Sequence, residues 1–216
     1  MTTAASRPAA GGGRWVTTTP ERLARWLDGF AERHGEVTVD VGPSVVRLTA
    51  ADGAVAEVEV PFPPLVGDAL ADLVAHTTEV RRTGVLLVRL GGYAVGVFEG
   101  PRLVASKVGS RQVHGRSAAG GWSQQRFARR REGQSAVALQ AAADTAARVL
   151  LPQQLDGLVL GGDRGAVEAV LEDRRLAPLR PLVTGRLLDV PDPRLKVLES
   201  APFRQVWIRV VDPPAG

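Results

Sequence analysis

The chain has no cysteine, three histidines and two lysines, Lys107 and Lys196. Without cysteine it forms no disulfide and holds no thiolate-bound zinc. His34, His76 and His114 are scattered without ligand spacing, so any metal site would have to be built from carboxylates. No metal and no cofactor is expected. No apolar run approaches the roughly 20 residues needed to cross a bilayer. The opening Met1 to Arg14 segment is rich in Ala, Thr and Gly and has no apolar signal core. The expectation is a cytoplasmic protein with no membrane partner.

One stretch lacks acid altogether. The formal net charge is only +4, yet Arg102, Lys107, Arg111, Arg116, Arg126, Arg129, Arg130 and Arg131 fall within 102–131 with no Asp or Glu among them. Subtracting these eight cations from +4 leaves −4 for the rest of the chain. A one-sided basic segment is the footprint of phosphate contact, and arginine adds planar, bidentate recognition and base stacking. A solvated charge face would normally intersperse acids. Nucleic acid is therefore the partner class that the charge pattern favours.

The 216 residues are 44% apolar and 23% charged, enough for one sizeable core or a domain with a smaller appendage. Thr19 in cap position, Pro20 at the first helical position, the stripe Leu23, Trp26, Leu27 and Phe30, and Gly35 beyond the end predict a first helix. Val37, Val39 and Val41 alternate with polar neighbours, and 45–60 reads as two strands around an Asp52-Gly53 turn. A second helix is expected near 65–77. These elements make a small α+β unit over 15–80, after a disordered tail over 1–14.

From Thr83 the pattern changes. Gly84 to Arg89, Tyr93 to Phe98 and Arg102 to Val113 read as three consecutive strands of an antiparallel meander. A long helix follows from about 123 to 151, with Gly133 inside it and Pro152 stopping it. Leu155 to Leu160 is a buried strand, 165–175 a helix, Pro181 to Val190 a strand region, Leu195 to Leu198 a short helix and Phe203 to Val211 a last strand. All of these are assigned to a second domain over 81–212. The fold class is α/β, a ribonuclease H-like mixed sheet with flanking helices.

The segment most informative about function is 114–131, His-Gly-Arg-Ser-Ala-Ala-Gly-Gly-Trp-Ser-Gln-Gln-Arg-Phe-Ala-Arg-Arg-Arg. A glutamine amide is no general acid or base at neutral pH, but beside glycines it can place a water or an oxygen by hydrogen bonding. A strand meander, His114-Gly115-Arg116, a glycine-glutamine loop and then Arg126-Phe127-Ala128-Arg129 opening a long helix resemble the catalytic middle domain of the eukaryotic and archaeal translation termination factor. Gly157-Leu158-Val159-Leu160-Gly161-Gly162 looks like that family's following strand, and the likeness covers roughly 83–200. The chain departs from that family in having Ser117, Ala118 and Ala119 as extra residues and Trp122 where the glutamine of Gly-Gly-Gln would stand. Gly121-Trp122-Ser123-Gln124 instead fits the Gly-x-x-Gln pattern of the related Vms-like release factor family, in its compact bacterial type. The larger eukaryotic members carry a zinc finger, ankyrin repeats and an ATPase-binding segment, for which this chain has no room, and no stop-codon-reading domain is evident.

The resemblance implies peptidyl-tRNA hydrolysis on stalled large ribosomal subunits without a stop codon. Ribosomal RNA and peptidyl-tRNA are then the partners. It assigns Gln124 as the residue that orients water or the oxyanion, Gln125 as the alternative, and Gly120 and Gly121 as the close-approach backbone. It assigns Arg111, His114, Arg116, Trp122, Arg126, Arg129, Arg130 and Arg131 to RNA contact, Trp122 by stacking.

Other readings compete with this one. Gly121-Trp122-Ser123-Gln124-Gln125 nearly copies the serine hydrolase elbow, but it lacks the final glycine, and no histidine follows Ser123. A metal-dependent nuclease on this fold needs inward carboxylates on its first strands, and 84–98 has none, with Glu99 alone after it. A non-catalytic ribosome- or RNA-binding module on the same fold is the remaining alternative.

Overall fold

The computed structural model describes residues 7–89, 92–110 and 123–213, with the helical backbone alone for 123–135. The chain divides into two units, one made of 1–79 with 204–216 and the other of 80–203.

In the first unit, β1 (Arg7–Pro8) and β2 (Arg14–Thr18) precede α1 (Pro20–His34). Leu23, Leu27 and Phe30 recur at helical spacing and are buried, and Trp26 stacks on Phe30 at 5.7 Å between centroids. Pro20 opens the helix as expected, while the Thr19 side chain makes no capping bond. Gly35 ends it at φ +87°, donating its N–H to Ala31. The strands β3 (Val37–Val41), β4 (Val45–Ala50) and β5 (Val55–Glu59) form a meander, and α2 (Leu70–Thr78) closes the unit's helical layer. The Asp52 carboxylate shapes the β4–β5 turn by accepting from Ala54 N–H and lies 2.8 Å from His34 Nδ1.

Two expectations change here. Residues 7–8 pair with 14–15 through a turn containing Gly11, Gly12 and Gly13, so strand pairing begins within the segment read as tail. Three consecutive glycines read as disorder in sequence, but their positive φ values make the turn. The last strand, β10 (Val206–Val211), assigned above to the second domain, pairs in the first unit's sheet: it lies between β2 and β5 in the order β1-β2-β10-β5-β4-β3. Val206, Ile208 and Val210 fill the core shared with Val16, Ala56 and Val58. Alternation marks a strand with one apolar face, but does not say which sheet receives it.

In the second unit, β6 (Arg82–Arg89), β7 (Gly92–Glu99) and β8 (Arg102–Ser110) form the expected antiparallel meander. The helix α3 (Ser123–Leu150) follows and runs unbroken through Gly133. Next comes β9 (Gly157–Gly162), which pairs parallel to β6 and gives the order β8-β7-β6-β9. The helix α4 (Arg164–Leu171) is capped by the Asp163 carboxylate, which accepts from Ala166 N–H at 3.1 Å.

Instead of a helix to 175 and a strand over 181–190, a 3-10 helix runs Arg174–Leu182. Pro178 and Pro181 lie inside it, and only Val183 and Leu188 form isolated parallel bridges to Leu158 and Gly161. Prolines cannot donate to a ladder, and Gly185 at φ +72° interrupts the run between the two bridges. The short α5 (Leu195–Glu199) lies where expected.

The four-stranded sheet is covered on both faces. Leu86, Val88, Val95 and Val97 meet Ala142, Ala143, Ala146 and Leu150 of α3 and Val167 and Val170 of α4. Val85, Leu87, Ala94 and Phe98 meet Leu198 of α5 and Phe203. This two-sided burial explains why Val85 to Val88 is a continuous apolar run rather than an alternating one. The strand order and covering helices make it the mixed α/β, ribonuclease H-like sheet expected.

Candidate functional site

The candidate functional segment connects β8 to α3. Its residues 111–122, with Arg111, His114, Arg116, Gly120, Gly121 and Trp122, lie outside the described residues. What is described are its two roots. β8 ends at Ser110, opposite Gly92, and α3 begins at Ser123, so Gln124 and Gln125 are the helix's second and third residues. In a helix the first four N–H groups have no intrahelical acceptor, and the dipole favours negative charge at that end. Both glutamines bring backbone donors to such a position, and the first turn of α3 carries no acid.

Among the residues of α3 whose side chains are described, the anchoring contacts lie in its second half. Among its residues whose side chains are described, core packing begins at Leu139, and Val137 before it is 48% exposed. From Ser123 to Leu139 the helix rises about 24 Å at about 1.5 Å per residue. On the solvent side Arg175 holds Asp144 at 2.6 Å, and both Asp173 and Gln140 join the group. Hydrogen bonds from Arg175 hold the carboxyls of Asp173 and Asp144 below the usual range. On the sheet side Thr145, 3% exposed, donates to the Tyr93 hydroxyl at 3.1 Å. Sequence reading missed Tyr93 and Thr145, because nothing local connects residues 52 positions apart.

The basic stretch separates into two classes. Arg102 pairs with Glu99, which also takes Arg82, and hydrogen bonds from these two arginines hold the Glu99 carboxyl below its usual range. Glu99 is thus engaged by two cations, as is Arg102 by an acid. Lys107, further along β8, is exposed.

A cavity of about 500 Å³ lies between β9, α4 and residues 183–187. Two of its lining residues, Arg164 and Glu168, pair at 3.7 Å, and it includes none of the expected site residues. Among the described residues no group of His, Asp or Glu is arranged to hold a metal ion, and no helix is long and apolar enough to cross a membrane. His34 is engaged by Asp52, and His76 Nε2 lies 2.7 Å from the Pro61 carbonyl.

A model of the family described as the Actinobacteria/chloroflexi VLRF1 release factor matches residues 81–211, more than half of the chain. The match runs from the start of β6 to the end of β10 and so spans the whole functional segment. No curated protein matches the chain. Among solved structures, an archaeal translation termination factor aligns at 14% identity and a TM-score of 0.44, covering 85% of this chain and 69% of its own. A second archaeal chain, described only as an archaeal protein, aligns at 16% identity and a TM-score of 0.40, covering 72% of this chain and 50% of its own.

Proposed function

The chain belongs to the Actinobacteria/chloroflexi VLRF1 release factor family, and on that premise we propose that it hydrolyses peptidyl-tRNA on stalled large ribosomal subunits, without reading a codon. Its role is that of a translation release factor; the substrate state and the chemistry are our reading. The observation that carries it is the position of Gln124, the end of the Gly121-Trp122-Ser123-Gln124 run, in the first turn of α3.

The reaction is attack of water on the ester carbon that joins the nascent peptide to the tRNA ribose. The C–O bond to the ribose breaks, and the ribose oxygen takes the proton. Holding the nucleophile against the carbonyl is worth about 7 to 11 kcal/mol when the geometry is good. Gln124 supplies that placement through its backbone N–H, its side-chain amide, or both, directed at the water or at the developing oxyanion. Gly120 and Gly121 let the backbone approach RNA without a Cβ in the way. Arg111, His114, Arg116, Arg126, Arg129, Arg130 and Arg131 contact ribosomal or tRNA phosphates, and Trp122 stacks on a base. The reaction takes place in the cytoplasm and needs no metal or cofactor.

The test is single-turnover release of peptide from peptidyl-tRNA on isolated large subunits. Gln124→Ala is expected to lose about 10²-fold in rate while ribosome binding persists, and Gln125→Ala and Ser123→Ala to lose little. A full rate in Gln124→Ala overturns the assignment. Wild-type protein that binds the subunit without releasing peptide makes it a non-catalytic ribosome-binding module instead.

A further inference from the structure

One aromatic ring ties both roots of the functional segment together. Tyr93 is the register partner of Gly109, one residue before the end of β8, and of Val88 on β6. Its ring lies over Gly109 so closely that a Cβ there would stand 2.3 Å from the ring carbon bearing the hydroxyl. The same hydroxyl accepts from Thr145 in α3 at 3.1 Å. The strand that leads into residue 111 and the helix that leads out of residue 122 thus meet at one side chain.

The other contacts of α3 are less directional. Ala142, Ala143 and Ala146 pack as small apolar surfaces, which resist separation but allow the helix to tilt. Asp144 and Arg175 are solvent-exposed, and such a pair contributes little to geometry. Among the described contacts of α3, the bond from buried Thr145 to half-buried Tyr93 is the directional restraint on the sheet side. Its leverage is large, because Ser123 stands 22 residues away, about 33 Å along the helix. A tilt of about 5° at Thr145 moves the helix start by about 3 Å. A misplacement of about 1 Å can already cost on the order of 10²-fold in an oriented reaction.

We infer that Tyr93, held by Gly109 and Thr145, is a positioning residue that sets the direction of α3 and so the place of Gln124. Its catalytic consequence rests on the release function proposed above, but its effect on the helix does not. The absence of Gly109's side chain is part of the device. Gly109→Ala pushes the ring off Thr145 without touching α3.

The cysteine-free chain allows a clean test. Nitroxide labels on Ala128→Cys and Lys107→Cys report the distance between α3 and β8 by pulsed electron resonance, in full-length wild type, Tyr93→Phe, Thr145→Val, Thr145→Ser and Gly109→Ala. Wild type and Thr145→Ser are expected to give one narrow distribution. Tyr93→Phe, Thr145→Val and Gly109→Ala should broaden or shift it, and the Phe/Val double variant should go no further than either single one. In single-turnover release the same three variants should lose about ten-fold in the saturated rate with half-saturation unchanged, and Thr145→Ser should keep the rate.

Unaltered distances in Tyr93→Phe and Thr145→Val overturn the inference, whatever the activity. Altered distances in a protein whose wild type releases no peptide keep the positioning role and remove the release function. Altered distances with an unchanged saturated rate, in a wild type that does release, overturn the link from Tyr93 to Gln124.

Discussion

On the face of the six-stranded sheet opposite its core, each strand gives one residue to a single cross-strand row, Arg7, Trp15, Arg209, Glu57, Arg47 and Asp40. Cations alternate there with a ring or an acid, and Glu57 takes ion pairs from both Arg47 and Arg209. In the four-stranded unit Arg82 and Arg102 likewise share Glu99, and on the solvent side of α3 Arg175 joins Asp144 and Asp173. From Lys107 to Arg131 no acid is present at all. An arginine whose counter-ion is built into the next strand helps to fix register. The run from Lys107 to Arg131 has no acid within it and surrounds the proposed release segment; on that reading its counter-charge is the phosphate of a partner.

The largest effect that separates the two units is on stability. Phe30 is fully buried in the first unit's core, and Phe30→Ala should cost about 3–5 kcal/mol, read as a lower urea midpoint. The release rate per folded molecule should not change, because Phe30 belongs to a cluster that shares no residue with the one beneath α3. A rate that falls in folded protein would break the division of labour. Next comes chemistry: Gln124→Ala should lose about 10²-fold in release, about 2.7 kcal/mol of barrier, while Arg209→Ala changes it less than about two-fold. Equal losses in the two variants would erase the contrast between the units.

Much of the fold could be read ahead of the structure where a local signal was complete. Pro20 with the stripe to Phe30 specified α1, and the strand runs around Asp52-Gly53 and from Gly84 to Val113 specified two meanders. Partner choice over long separations was not legible. Ile208 alternates with its neighbours as any half-buried strand residue does, and only the packing shows that it sits between Val16 and Val58. The stretch 181–190 was apolar enough for a strand, yet the backbone chemistry of Pro181 and Gly185 prevailed. At the site, Gly121 to Gln124 could be read as a motif because its flanks were local. The contact of Tyr93 with Thr145 could not, since it depends on the register of β7 against β8 and on the empty space at Gly109.

A third comparison concerns salt. If Arg129, Arg130 and Arg131 meet phosphates, replacing all three by alanine should reduce the slope of log affinity for large subunits against log salt by about two to three. Replacing Arg47 and Arg209 should leave that slope alone, because their counter-ion is Glu57. A wild type whose binding ignores salt would contradict phosphate contact altogether.

The smallest effect is that of acid on the anchored half of α3. Hydrogen bonds from the Arg175 side chain, and then from its backbone N–H, hold the Asp173 carboxyl well below its ordinary value; Arg175 and then Gln140 lower that of Asp144. A carboxyl depressed on folding stabilises the folded state fully above its unfolded value of about 4, and that contribution is lost as pH falls through the folded value. Wild type should therefore exceed Asp173→Asn in thermal midpoint near neutrality, and the gap should close between about pH 4 and the more acid folded value. The gap should stay small because Arg175 is about half exposed, so that water and salt screen the pair. The same acidification should leave the gap between wild type and Thr145→Val unchanged, since that substitution removes no carboxyl. A Thr145→Val gap that closed in step with the Asp173→Asn gap would mean that the acid pins, rather than Tyr93, hold the helix.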